Sequence, residues 1–486
     1  MASIKNHHSL LNCIAMTVVL AFVSACEPQD VGDPFGYEKL RRELGEAMPD
    51  GSGVEVQLVE ARGDVTEMVD GVETKVGTAF APNPVLDEFL DKKIRIVPDF
   101  SRLHSGHANG VGRKFFGRLS SMAPAIEDIE AWESMTWLDS VLNMGRGFLP
   151  VAQSARVANH SWVGNAEHPE LPGTRNVEAL RRLDWLIETD DFIQVAGFNG
   201  SGDSPLFASA WNAIVVSHVV GAYAAGSAPV GQTDYPPGRI RPDIVAEETY
   251  PSSAAARVSS AAALLVQAAR MTRNPSRALD RSVAVNRAGV RVFAGESSEV
   301  IRAALMAGAT AVPTEGEASE KPVGLHPQYG AGRLDVHNSY QVIVGGESDS
   351  REDGAAQGSV IPTAGFDYDD AFGGSAGSNV TATYAIAGRD APVGLTAALI
   401  WNARILPGRR LAFGQGAQLF SLVLQLYDVS DPGGEELIAS SKVWPDNRQF
   451  LRHPLEANRN YELRIAAASG QPLFSWDYGL AWRMAP

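Results

Sequence analysis

Cysteine is almost missing from this chain. Two occur in 486 residues, Cys13 and Cys26, and both lie at the N-terminal end. A disulfide framework through the body of the molecule is therefore excluded. Positive charge is also short: 41 Lys and Arg stand against 57 Asp and Glu, for a net charge of −16. No basic cluster breaks that balance, which argues against a nucleic-acid partner. Long apolar runs are scarce as well. The run over residues 10–25 is too short for a comfortable membrane span. No internal repeat is visible. What is there, 45% hydrophobic and 20% charged residues over this length, suits a globular protein of two or three domains with a large core.

That apolar run is preceded by Lys5 and ends in Val23-Ser24-Ala25-Cys26, small residues before a cysteine. It resembles a bacterial lipoprotein signal peptide with its lipobox. The resemblance implies a signal peptide over 1–25, cleavage before Cys26, and lipid on that thiol. The alternative is a plain secretory signal beside an accidental cysteine. Residues 26–50 are polar, with Pro28, Pro34 and Pro49, and read as a tether. So short a piece before the first core strand leaves no room for a folding-assistant propeptide.

Residues 51–345 alternate between strand and helix patterns. Residues 54–59 (Val-Glu-Val-Gln-Leu-Val) alternate as a strand. Residues 156–162, 192–196 and 211–217 supply three more. Helical patterns at 177–188 and 298–306 lie among them. This predicts an α/β domain with a parallel sheet covered by helices on both faces. A polar linker follows at 346–360. Beyond it, short strand patterns at 395–401, 419–429, 461–466 and 474–482 predict a C-terminal all-β antiparallel sandwich over 361–486. In the last of these, Trp476, Tyr478, Leu480 and Trp482 share one face, and Asp477 and Arg483 lie on the other.

The most informative stretch runs Arg241-Pro242-Asp243-Ile244-Val245-Ala246, then Pro251-Ser252-Ser253 and an Ala/Leu-rich segment to Leu265. It places a serine at the mouth of a long helix. A hydroxyl there meets the positive end of the helix dipole and backbone N–H groups without helical partners, where an oxyanion can be held beside a nucleophile. The strand at 54–59 runs on into Glu60. A carboxylate at the end of a parallel strand can fix a histidine's tautomer. His107-Ala108-Asn109-Gly110-Val111 puts a histidine at the start of a helix that Val111 and Phe115 would bury. Val195-Ala196-Gly197-Phe198-Asn199-Gly200 brings a side-chain amide just past a strand.

Carboxylate, histidine, amide and serine in this chain order resemble the subtilisin-like serine proteases (subtilases). The resemblance covers about residues 51–345, including the closing Gly330-Ala331-Gly332-Arg333-Leu334-Asp335. It implies a subtilisin-like α/β fold and a serine endopeptidase. Ser252 would attack the peptide carbonyl and His107 would take its proton. Glu60 would orient His107, and Asn199 with the Ser252 N–H would hold the oxyanion. Asn159-His160-Ser161-Trp162 would lie near where substrate pairs as an extra strand, with Ser161 and Trp162 as substrate contacts. The chain departs from the family at Glu60 (for Asp), at Ala108, Asn109 and Gly112, at Phe198, and around the serine at Tyr250, Pro251 and Ala256. Asp64 and Asp99 are alternative carboxylates, His104 an alternative base and Ser253 an alternative nucleophile. Each candidate also has a purely structural reading: a solvated strand-end Glu, a surface His, an Asn-Gly turn, a helix N-cap Ser.

The C-terminal part resembles the β-sandwich modules appended to many secreted bacterial proteases, which implies binding or stabilisation. Asp367, Asp369 and Asp370 are candidates for calcium, but their spacing does not complete an EF-hand loop and a solvated acidic turn is the favoured reading. No other cofactor is expected. The expected partners are a protein or peptide substrate and, through the lipid, a membrane. The expected location is the bacterial cell envelope (outer membrane or cell surface), or secreted. Two rival functions remain at this stage. One is a pseudo-protease that binds protein or envelope glycan; the other is a carbohydrate-binding lipoprotein driven by its tail. No sequence feature bears on oligomeric state.

Overall fold

Apolar side chains at alternate positions turn the central strands into a sheet with two buried faces. In β1 (Val56–Glu60), Val56 and Leu58 point into one apolar core and Val59 into another. The computed structural model describes residues 32–99, 103–164, 166, 175–199, 206–219, 235–236, 239–272, 282–313, 323–353, 360–373, 380–431 and 433–486. Before β1 comes α1 (Tyr37–Leu44). After it come the hairpin β2 (Gly63–Val69) and β3 (Val72–Ala79), then β4 (Lys93–Val97), α2 (Gly106–Phe115) and β5 (Asp128–Glu133). Next are α3 (Ser134–Ser140), β6 (Val157–His160), α4 (Arg175–Asp190), β7 (Ile193–Gly197), β8 (Ile214–His218) and β9 (Ile244–Ala246). The long helix α5 (Pro251–Thr272) leads to a hairpin of β10 (Ser282–Val285) and β11 (Arg291–Phe293), then α6 (Ser298–Gly308) and α7 (Val336–Gly345).

Seven strands form one sheet in the order β4-β5-β1-β6-β7-β8-β9. Every pairing in it is parallel. Helices α2 and α5 pack on the face of Val56 and Leu58, and α3 and α4 on the face of Val59. The chain enters the sheet at an interior strand, β1, and then builds outward in both directions. That switch opens a crevice at the carboxyl ends of the strands, the usual ligand site of such sheets.

The C-terminal strands make two antiparallel sheets. A four-stranded sheet has the order β13 (Ala364–Phe372), β20 (Trp476–Ala485), β15 (Val393–Ile400), β18 (Arg448–Leu455). A five-stranded sheet has the order β12 (Arg351–Glu352), β14 (Thr381–Ile386), β19 (Tyr461–Ala467), β16 (Leu422–Asp428), β17 (Glu436–Ser441). The expected α/β architecture with a C-terminal antiparallel β region is therefore present. Tyr478, Leu480 and Trp482 enter the core between the two sheets, as the alternation in β20 predicts. The opposite face of β20 is covered at its centre, where Gly479 and Ala481 are buried. It packs on α6, and at Gly479 an added Cβ would lie 2.8 Å from the Glu299 carbonyl carbon, so only glycine permits this approach.

Two boundaries differ from the sequence reading. Within the expected tether, α1 is folded, and Leu40 is fully buried in the same core as α5 and α7. The polar look of this helix comes from its outer face; Leu40 is buried, and Tyr37 and Leu44 pack beside it on the core. Within the expected linker, β12 pairs with β14, so Arg351 and Glu352 belong to the sandwich.

A buried charge network locks the two regions together. Asp243, at the start of the short β9 segment, accepts Arg302 of α6 at 2.9 Å, Arg448 of β18, and the Val215 N–H at 2.7 Å. All three charged side chains are 2% exposed or less. Removing the carboxylate leaves two guanidinium groups buried beside each other. Asp243→Ala is therefore expected to cost roughly 3–5 kcal/mol in urea unfolding. A loss under about 1 kcal/mol, the level of a surface pair, would contradict this account.

Candidate active site

Elements at the carboxyl edge of the parallel sheet deliver each candidate side chain. Glu60 is the last residue of β1 and is 2% exposed. His107 sits in the first turn of α2, which Ser105 caps by accepting the Ala108 N–H at 3.2 Å. Val111 and Phe115 are buried below it, as the helix pattern predicts. Gly112 lies where an added Cβ would press on the rings of Phe116 and Phe89 at 3.0 Å, so the small residue lets α2 seat fully.

The His107 Nδ1 lies 2.7 Å from the Glu60 Oε2. A carboxylate accepts there, so Nδ1 carries the proton and Nε2 is left facing outward. The imidazole is half exposed while its partner is sealed. Glu60's hydrogen bond holds the His107 pKa above the ordinary imidazole value, against the opposing pull of partial burial. Burial in turn raises the Glu60 pKa, and His107 only partly offsets that. Among the described residues, the Glu60 Oε1 is buried with no hydrogen-bond partner, and His107 is the one group that stabilises the carboxylate. His104 makes no such pair. Asp64 pairs with Lys75 on the exposed β2–β3 hairpin at 2.7 Å, and Asp99 is exposed beyond β4.

Ser252 is the second residue of α5, so its N–H belongs to the donors that a helix start leaves without an intrahelical partner. Its Oγ donates to the Ser161 carbonyl at 3.3 Å. Among the described residues, no hydrogen bond joins Ser252 to His107. The two side chains nevertheless line one cleft of about 620 Å³, together with Ser161, Trp162, Asn199 and Ser253. Tyr250, 65% exposed, stands at its edge. Packing of α2 against α5 holds the base and the serine on the same rim. Glu248 ties the two helices, accepting Lys114 from α2 and, at 2.8 Å, Arg257 from α5.

The residues around the end of β6 help anchor the start of α5. The Ser161 Oγ lies 2.9 Å from the Ser252 carbonyl and 2.8 Å from the Asn159 Oδ1. The Asn159 Nδ2 donates to the Ser259 Oγ at 3.0 Å, two turns along α5 from Ser252. Ser161 therefore uses its hydroxyl to position the start of α5 while also lining the cleft. Trp162 is half-buried against Phe207, with ring centroids 5.3 Å apart. His160 is buried and inert: its Nε2 lies 2.7 Å from the Gln194 Oε1, its Nδ1 accepts the Trp162 N–H at 3.3 Å, and burial pushes its pKa down to about 4. Asn159 and Ser259 were not singled out by role in the sequence. Their signal is a serine seven residues beyond Ser252, on the same helix face.

Cys26 lies outside the described residues. Among the described residues, no helix is long and apolar enough to cross a membrane. Asp367, Asp369 and Asp370, the candidates for calcium, each have their own surroundings. Asp367 is buried and accepts the Tyr384 hydroxyl at 2.7 Å, Asp370 is exposed on the other side of β13, and Asp369 accepts the Ala371 N–H at 2.9 Å. Among the described residues, the acidic group close enough to share an ion is Glu188, Glu299 and Asp477.

No protein-family model matches the chain, and no curated protein matches it. Solved structures do align. MycP1 with its N-terminal propeptide removed matches at 16% identity over 63% of this chain and 96% of that chain, with a TM-score of 0.34. A second structure, of the serine protease MycP1 described as an essential component of the type VII (ESX-1) secretion system, matches at 14% identity over 63% and 88%, with a TM-score of 0.33. The pre-peptidase C-terminal domain of a collagenase from Bacillus anthracis matches at 11% identity over 24% of this chain and 87% of that chain, with a TM-score of 0.17. Alignments this loose do not bear on activity, and the chemistry rests on the residues themselves.

Proposed function

We propose that this chain is a serine endopeptidase of the subtilase type, tethered to a bacterial envelope membrane by lipid on Cys26. The observation that carries the reading is the pairing of half-exposed His107 with sealed Glu60, on the rim of the cleft that also holds Ser252 and Asn199. A buried carboxylate that fixes one imidazole nitrogen and leaves the other facing a cleft is what a general base requires.

The proposed reaction starts with rotation of Ser252 about χ1, which exchanges the Ser161 carbonyl for the His107 Nε2. Nε2 takes the hydroxyl proton as Oγ attacks the peptide carbonyl carbon. Glu60 steadies the imidazolium that forms. Asn199 and the Ser252 N–H donate to the oxyanion. His107 then returns the proton to the leaving amine, and water repeats the cycle on the acyl-enzyme.

Incubation with a mixed peptide library, read by mass spectrometry, tests this. The wild-type protein is expected to cleave, and Asn199→Ala to lower kcat by about 10²–10³ with little change in KM. Unchanged kcat in Asn199→Ala would remove Asn199 from the oxyanion site. No cleavage by well-folded wild-type protein would favour a second reading, a protein- or glycan-binding pseudo-protease. One observation speaks for that second reading: the Ser252 hydroxyl is engaged with the Ser161 carbonyl and not with His107.

A further inference from the structure

Far from the cleft, three acidic side chains meet where the sandwich packs on the α/β region. Glu188 comes from the last turns of α4, Glu299 from the first turn of α6, and Asp477 from the α6-facing side of β20. One carboxylate oxygen from each lies within 4.8 Å of the others. Glu299 is 2% exposed. Among the described residues, no Lys, Arg or His pairs with any of the three. Glu188 and Asp477 are half-buried beside Glu299, and a group of ionised carboxylates in a largely buried site without a counter-charge is strongly unfavourable.

The hydrogen bonds present do not discharge it. Glu299 accepts the Asn402 amide and, at 3.0 Å, the Ser298 hydroxyl; Asp477 accepts the Tyr368 hydroxyl. These neutral donors fix the carboxylates in place. The Glu188 Oε2 and the Asp477 Oδ1 are both sealed from solvent with no hydrogen-bond partner. Two orphaned acceptor atoms in one acidic pocket are what a cation would satisfy. The donor set is all oxygen, which suits a hard divalent ion. Carboxylates from three separate elements can adapt to the irregular, higher coordination of calcium better than to the strict octahedron of magnesium.

We propose that Glu188, Glu299 and Asp477 bind a calcium ion that staples the C-terminal sandwich to α4 and α6. The glycine at 479 is part of this design, because it lets β20 approach α6 closely enough for Asp477 to reach Glu299. The site is independent of the proposed proteolysis, since none of its residues lines the cleft. In the absence of a cation, burial holds all three carboxyls above their usual range. The competing outcome is thus a set of carboxyls that share protons and bind no ion.

The test uses the full chain, stripped with EDTA and titrated with CaCl₂ or MgCl₂ by calorimetry at pH 8, with the unfolding temperature followed in parallel. Calcium is expected to bind and raise the unfolding temperature, and magnesium to act weakly. Asp477→Asn and Glu299→Gln are expected to weaken calcium binding at least about tenfold. Both replacements remove charge from a crowded acidic site, so in EDTA they should unfold no earlier than wild type. That separates lost binding from lost folding. No calcium response in wild type, a response to magnesium alone, or a full calcium response in Asp477→Asn would each overturn the proposal.

Discussion

Ser252→Ala is expected to lower kcat for peptide hydrolysis roughly 10⁶-fold while leaving the fold intact. The hydroxyl makes one long contact, 3.3 Å to the Ser161 carbonyl, and the other bonds that seat the start of α5 run through the Ser252 carbonyl and Ser259. Deleting one oxygen therefore costs little stability. If Ser252 is the nucleophile, its loss ends covalent catalysis; what survives is the background that binding and the oxyanion donors provide. Ser253 also lines the cleft, so Ser253→Ala is the matching control. It should stay within a few-fold of wild type, as expected for a residue outside a unit whose members act together. A reversed result, with Ser253 indispensable and Ser252 dispensable, would move the nucleophile by one residue and remove the Ser161 anchor from the mechanism.

Glu60→Gln is expected to lower kcat roughly 10⁴-fold, and to change the pH profile in a direction that can be stated in advance. Glu60 raises the His107 pKa through the 2.7 Å hydrogen bond, and partial burial opposes it. His107 must be neutral to take a proton, so activity rises as pH rises through the His107 pKa. In the wild type the acid limb of kcat/KM should lie above about 6.5, the ordinary imidazole value. In Glu60→Gln the raising influence is gone and burial remains, so the limb should move to lower pH. The linked stability has the same origin. A raised folded-state pKa means that the His107 contribution is fully present below the unfolded pKa and is lost as pH rises through the folded one. A residual Glu60→Gln activity with an unmoved acid limb would show that Glu60 does not control His107. A solvated, merely structural Glu60 would give neither effect.

Much of this arrangement was legible in local sequence patterns. Alternation of Val and Leu marked β1, and the Val111–Phe115 spacing marked the buried face of α2, which together set the register of Glu60 and His107. Helix-mouth placement marked Ser252. The choice of His107 over His104 also followed from the helix face, and the Glu60 pair agrees with it. What stayed hidden depends on contacts between distant segments. Asn159 and Ser259 are 100 residues apart, and neither looks special alone. The bond from the Ser161 hydroxyl to the Ser252 carbonyl likewise joins segments far apart in the chain. The acids that converge come from α4, α6 and β20, which only the packing of the sandwich on α6 brings together. The helix in the expected tether is hidden for a related reason: its outer face is polar, and the apolar face of Tyr37, Leu40 and Leu44 meets a core built by distant segments.

The most direct test of the central claim, that Glu60, His107 and Ser252 form one reacting unit, is mass mapping of the adduct left by a fluorophosphonate probe. The claim predicts one phosphonyl group per chain, carried on Ser252, with labelling that fails in His107→Ala and slows sharply in Glu60→Gln. Folded wild-type protein that stays unlabelled, or that labels on another residue at a rate indifferent to His107, would contradict it.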